Sequence, residues 1–393
     1  MTETKNPFLE PYNTPHHTPP FHLIKVEHYE PAIREGMKEQ NEEIDAIVNN
    51  AEKPNFQNTI VALERSGSLL ERVTTIFGNL LSAETNDEMQ ELAEKMMPLL
   101  AEHNNSISLN EKLFARIKAV YDRKDQLTLN GEDSMLLQKT YDGFIRSGAN
   151  LQGEAKEKYR RLNTELSVLA LRFSQILLKE TNNYELSLTT SQLEGLPESM
   201  LESYAQTAKE KGKEGNIITL DAPSFVPFMK YCKDRTLRQQ LYMAYNTQCT
   251  HDNEYNNMDI IKQLVNIRME LVQLLGYSNY AEYVLKKRMA ETEESVYQLL
   301  NQLLEAYSPT AHQEVKEVEE LAHRLEGNDF QLMPWDWAYY SEKLKNEKFK
   351  LNEEELRPYF ELSQVKQGVF GLATRLYGIT FKENKEIPVY HPD

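Results

Sequence analysis

The 393-residue chain holds 44 basic against 61 acidic residues, a formal net charge of −17. A surface this acidic repels phosphate backbones and anionic lipid, which argues against nucleic acid and membrane surfaces as partners; the same charge also serves solubility. With 40% hydrophobic and 27% charged residues the composition is that of a globular protein, long enough for two or three domains of ordinary size.

Glycine and proline are scarce, 15 and 16, and five of the prolines precede Phe21. The remainder is poor in helix breakers, which predicts an all-α fold. No run approaches ~18 apolar residues, so no membrane span is expected. Two cysteines without a CxxC are too few for a disulfide framework. They fit a reducing compartment. With no apolar leader at the N-terminus, the expectation is a cytoplasmic protein, or a periplasmic one if a leader has been removed.

Residues 1–31 read as an extended proline-rich arm, because Pro7, Pro11, Pro15, Pro19, Pro20 and Pro31 forbid a continuous helix. Its aromatics Phe8, Tyr12, Phe21 and Tyr29 predict that the arm packs on a body. A helical body is expected over 32–378, with a division near 180–225. Ile33, Met37, Ile44, Ile47 and Val48 recur at helical steps. Asn55 and Asn58 are candidate caps before the next apolar run.

Over 158–181, Leu162, Leu166, Leu169, Phe173 and Ile176 form a heptad-like stripe opposite Arg160, Glu165, Arg172 and Gln175, the pattern of a bundle helix. A short β excursion is expected near 215–220, at Ile217–Thr219. Helices resume after Pro227. One carries Ile260, Leu264, Ile267, Leu271 and Leu274 on one face and ends at Gly276. Another starts at Thr292 and runs to about Gly327. Asn352 with Glu355 resembles a capping box, and a last helix opens at Ser363 and closes at Gly378. Beyond it, Ile379–Phe381 and Ile387–Tyr390 read as a β-hairpin. A lone hairpin is marginal in water, which suggests that further strands belong beside it.

Motifs for chemistry are few. None of the nine histidines starts an HExxH, the spacing that puts two imidazoles one helical turn apart with a carboxylate between them. His312 and His323 lie eleven residues apart, about three turns, too far to share a metal ion. His16–His17 and Cys249 with His251 offer too few ligands for zinc. No GxSxG and no phosphate-binding glycine loop occurs. No catalytic and no metal-binding residue is therefore assigned. The most unusual stretch is QLMPWDWAYYSEKLKNEKF, which holds both tryptophans, Trp335 and Trp337, with Tyr339 and Tyr340. Pro334, Trp335 and Asp336 look like a helix beginning. Such an aromatic segment suits either a peptide-binding wall or a helix packed on both sides.

Residues 334–362, PWDWAYYSEKLKNEKFKLNEEELRPYFEL, resemble a signature stretch of the thimet oligopeptidase (M3) family of zinc metallopeptidases. LLGYSNYAEYVLKKRMA at 274–290 and IPVYHPD at 387–393 are similar to the same family, and the N-terminal NPFLEPYNTPHHTPPFHLIKVEHYEPAIREGM is most like its bacterial peptidyl-dipeptidase branch. The similarity spans 6–393.

It implies a mostly helical half of a bilobal clam shell, with 379–393 beginning the catalytic domain. It also implies a parent that uses zinc to remove C-terminal dipeptides from short peptides with free C-termini. The family's HExxH lies beyond this sequence, so no zinc is expected in this chain and the fragment alone is expected to be inactive. Its partner would be the missing C-terminal catalytic lobe, and the apolar face left uncovered could drive a non-native dimer. Asp336, Tyr339 and Tyr340 match the family pattern and are candidates for the substrate cleft or for fixing its wall. The alternative is a stand-alone helical peptide-binding protein without catalytic activity.

Overall fold

A computed structural model describes residues 5–351 and 353–392. Its contacts divide the chain into two units. One comprises residues 1–173, 260–284 and 383–393, the other residues 174–259 and 285–382.

The first unit holds helices α1 (Tyr29–Val48), α2 (Ala62–Arg65), α3 (Ser68–Ala83), α4 (Asp87–Ser108), α5 (Glu111–Tyr121) and α6 (Gly131–Arg146). To these it adds the first part of α7 (Gly153–Asn183) and most of α11 (Met258–Leu274) and α12 (Tyr280–Leu285). Asparagine side chains start several of its helices. Asn86, Asn110 and Asn130 accept the N–H groups of Met89, Leu113 and Asp133 at 2.9, 3.0 and 2.8 Å. Asn55 and Asn58 cap one another reciprocally, each side chain accepting the other's N–H, ahead of the π-turn Phe56–Val61 that leads into α2. Each such cap satisfies donors that a helix start leaves orphaned.

The N-terminal segment packs into the first unit. Phe8 is fully buried, 4.8 Å from the ring of Tyr29 on α1, in a cluster with Ile33, Val73, Phe77, Ala93 and Met96. Arg72 of α3 donates to the Phe8 carbonyl at 2.5 Å and stacks over Tyr12. Helices α1 and α3 approach closely at Gly36, where a Cβ would sit 2.8 Å from the Leu70 backbone. On α11, Ile260, Leu264, Ile267 and Leu271 are buried as expected. Gln175 of α7, placed by periodicity on a polar face, is buried instead.

The second unit contains the end of α7, α8 (Glu198–Glu210), α9 (Ala222–Tyr231), α10 (Arg235–Asn246), α13 (Glu293–Glu326), α14 (Trp337–Phe349), α15 (Glu353–Leu356) and α16 (Leu362–Tyr377). The expected β excursion is strand β2 (Asn216–Ile218), which pairs antiparallel with β1 (Leu186–Leu188) in the register Leu186 to Ile218 and Leu188 to Asn216. Leu186, Leu188, Ile218, Tyr204, Phe228 and Leu241 close a core around it. Helix α9 begins before Pro227 and includes it, so the proline does not mark the resumption of helix; burial of Phe228 and Met229 offsets the lost backbone hydrogen bond. Thr292 caps α13 through the N–H of Ser295, and Gly327 ends it. The last helix is capped by Glu361, two residues before the expected Ser363, and stops at Gly378 with φ +68°. Asn352 lies outside the described residues.

The hairpin expected at 379–390 is absent. Among the described residues the sheet is β1–β2, and no strand occurs after Gly378. Two short strands without a third gain too little to hold together. Their apolar side chains settle on neighbouring aromatics instead: Phe381 stacks on Phe370 at 4.2 Å, and Tyr390 meets Phe21 at 5.9 Å. Among the described residues no helix is long and apolar enough to cross a membrane.

Because Phe8 fills a closed site, Phe8→Ala is expected to cost about 3–5 kcal/mol, as large-to-small core changes do. Denaturant unfolding followed by circular dichroism measures it. A loss below about 1 kcal/mol would mean that the N-terminal segment adds little to this core.

Candidate functional site

The three candidate residues lie together in the second unit, where a 3₁₀ turn, Pro334–Asp336, runs into α14. Asp336 has no exposed surface, Tyr340 almost none, and Tyr339 very little. A carboxylate without water must be met by donors, and two arginines of α10 meet this one. Arg238 donates to Oδ1 at 2.8 Å, while Arg235 reaches Oδ2 at 2.7 Å through Nη2 and both oxygens through Nε. The backbone N–H of Met333 adds a further bond to Oδ2 at 3.1 Å. Burial pushes the Asp336 carboxyl up, but the hydrogen bonds from Arg235, Arg238 and Met333 outweigh it and hold the group below the usual aspartate value.

Each arginine is held in turn. Arg238, itself buried, donates to the carbonyls of Cys232 and Lys233 at 2.8 and 3.1 Å and lies 4.2 Å from the centre of the Tyr339 ring. Arg235 donates to the Gln331 carbonyl and stacks on Phe330 at 4.4 Å. Tyr340 donates to Glu326 at 3.0 Å and packs edge-on against Phe330 and Tyr339. Burial raises the Tyr340 hydroxyl, and its bond to Glu326 raises it further. The neutral phenol is therefore the donor. The segment is thus a helix start packed on both sides, with one exception: Trp335 is half-buried, but Trp337 is exposed.

Sequence reading missed Arg235 and Arg238, which stand 101 and 98 residues from Asp336. The available signal was local. Asp234 caps α10 by accepting the N–H groups of Thr236 and Leu237, and the three-residue spacing of the arginines then places both on one helix face.

The cysteines and histidines supply no nucleophile or metal site. Burial pushes the Cys232 thiol up to about 11, and burial with the neighbouring Glu180 pushes Cys249 up to about 12. His323 bonds to the Phe330 carbonyl, His251 to Thr247, and buried His103 to Gln40. Among the described residues no group of three or more His, Cys, Asp or Glu is arranged to hold a metal ion. Among the described residues the donor set does not fit a zinc centre. A cavity of about 600 Å³ in the first unit, lined by Lys5, Glu10, Tyr12, His22 and His28, brings together no catalytic set.

Comparison with known proteins gives this arrangement a context. Residues 228–393, which include both arginines and Asp336, match the profile of Peptidase family M3. The whole chain is 39% identical, over 99% of its length, to a dipeptidyl carboxypeptidase of Escherichia coli. By sequence, the chain is thus similar to peptidase family M3 over residues 228–393. It is also 37% identical to a dipeptidyl carboxypeptidase of Salmonella typhimurium and 32% identical to an oligopeptidase A of Escherichia coli. The chain spans 58% of the first of these M3 proteins and 57% of the other two, little more than half their length.

Removing the Asp336 charge leaves Arg238 buried without its partner, which typically costs about 3–5 kcal/mol. Asp336→Asn should therefore lower the unfolding midpoint strongly. Because the folded carboxyl is held below its unfolded value, the stability it contributes is complete above about pH 4 and fades as pH falls through the depressed value. The stability gap between wild type and Asp336→Asn should accordingly be flat at neutral pH and narrow in acid. A gap that widened in acid would contradict the assignment.

Proposed function

We propose that this chain is the N-terminal, cleft-forming lobe of a zinc metallopeptidase that removes C-terminal dipeptides from short peptides. The observation that carries the proposal is the 39% identity to a dipeptidyl carboxypeptidase across almost the entire chain, against 32% to an oligopeptidase A. In the whole enzyme the zinc and its general base would come from residues outside this sequence, which has no HExxH. The 393-residue chain alone is accordingly proposed to be inactive, and residues 379–393 to begin the catalytic portion. Residues 1–31 and 32–378 are proposed as an arm and a helical lobe. The buried, unpaired cysteines are compatible with a cytoplasmic location.

Within the lobe, Asp336 and Tyr340 are proposed to hold the cleft wall in shape and not to touch peptide, since neither has appreciable exposed surface. Tyr339 is placed with them, as the platform on which Arg238 lies. The lobe's work would then be to orient peptides and exclude folded proteins.

The test uses the 393-residue chain and the full-length product of its gene, with peptides of five to ten residues. The full-length protein should release dipeptides from a free C-terminus and leave the C-terminally amidated peptide intact, as mass spectrometry of the products would record. The 393-residue chain should release none and carry no stoichiometric zinc. Zinc-dependent hydrolysis by the shorter chain would overturn the division of labour, and internal cleavage of the amidated peptide would replace the dipeptidase reading with an oligopeptidase one.

A further inference from the structure

Helix α16, Leu362–Tyr377, has no buried residue. Its apolar side chains Leu362, Val365, Val369, Leu372 and Leu376 recur at alternating steps of three and four, the spacing of a helix-packing seam. All five are exposed, Leu362 by 80% and Leu376 by 64%. The stacking of Phe370 on Phe381 involves two further apolar rings and leaves the seam open.

The first half of α13 behaves alike. Tyr297, Leu300, Leu304 and Tyr307 follow helical spacing and each is more than half exposed, whereas the residues that α13 buries are Val318, Leu321 and Ala322. Single exposed leucines are ordinary, but two helices with continuous uncovered seams are not. A helix of this length is marginal in water without a surface to cover its apolar face.

Two observations identify the occupant. The M3 match runs through α16 to residue 393, and the matched relatives possess considerable length that this chain does not span. The charges on α16 speak in addition against self-pairing. Its charged side chains are Lys366 and Arg375, one on each flank of the seam, with no acidic residue in the helix. A second α16 would bring the same sign and no complement.

We propose that the α16 seam and the first half of α13 are an internal interface of a longer M3 polypeptide. The covering element is an apolar-striped helix with acidic flanks, supplied by the part of the peptidase that this chain lacks. The proposal rests on the M3 reading above and goes beyond it by naming the docking residues.

Hydrogen exchange on the 393-residue chain and on the full-length gene product tests it. The amides of α16 should exchange at least ~100-fold more slowly in the full-length protein. Leu372→Glu should change the melting temperature of the short chain little, because half of the side chain is already in water. It should lower that of the full-length protein by several degrees, while Leu372→Met lowers it little.

Equal exchange in the two proteins, or a neutral Leu372→Glu in the full-length protein, overturns the interface. So does a reading frame that ends at residue 393, or a dimer of the short chain that Leu372→Glu dissociates. Dipeptide release by the full-length protein is read separately: hydrolysis with an unprotected α16 sinks this interface alone, whereas no hydrolysis with a protected α16 sinks the peptidase reading alone.

Discussion

A single buried carboxylate organises the part of the second unit around α10 and α14. Asp336 sits at the entry to α14, and its two oxygens take up Arg235 and Arg238 of α10. Moving these charges out of water costs several kcal/mol per ion, and the cost is recovered only if geometry is good and the remaining donors are met. Here most are met. Backbone carbonyls of residues 331, 232 and 233 accept from the arginines, and the rings of Phe330 and Tyr339 lie against the guanidinium faces. The Nε–H of Arg238 is the donor left over. Apolar residues of equal volume often replace a buried ion pair without loss of stability, but an apolar patch has no direction. The bidentate fork fixes where α14 begins and how the 3₁₀ turn before it is oriented.

That fixed start explains the arrangement of α14. With Asp336 anchored, Tyr339 and Tyr340 face Val318 and Ala322 of α13, and Trp335 and Ala338 reach the core built on β1, β2 and α9. Helix α14 therefore packs on two sides and lacks the one-sided apolar stripe that marks an ordinary surface helix. Polar contacts add to these: Glu342 is buried beside Lys230 of α9 at 3.6 Å, and Lys348 pairs with Glu317 of α13. Three neighbouring helices are tied to one short segment by ionic and aromatic contacts whose geometry is specific.

Local chemistry made much of the fold legible. Asn55, Asn58, Thr292, Gly276, Gly327 and Gly378 mark helix ends because caps act within a few residues of the backbone they satisfy. The strand at 216–218 was visible because Ile217 and Ile218 stand between turn signals. What sequence could not display was partnership across distance. The arginines that meet Asp336 lie about a hundred residues away, so Asp336 read equally well as a cleft residue and as a helix start. The hairpin at 379–390 failed for the complementary reason. Its alternation was real, but a strand is made by its neighbour, and periodicity says nothing of whether one is present. Gln175 errs in the same direction: a polar residue on a polar face is buried once another element covers that face.

The same distinction governs α13. Apolar residues at helical spacing continue from Val296 to Leu321 across Pro309 in mid-helix, so the apolar pattern does not distinguish its two halves. The packing separates them. Its C-terminal half lies under Tyr339 and Tyr340, held there through Asp336, while its N-terminal half is mostly exposed. Burial, and with it local stability, therefore falls with distance from the arginine–aspartate cluster. A helix 34 residues long would span about 50 Å, too far for one cluster to govern from one end. The exposed half keeps an apolar sequence that solubility alone would select against. The charge of −17 carried elsewhere on the chain offsets that cost without removing its cause. An apolar stripe that contributes nothing to the core of its own unit is retained for contacts outside that core.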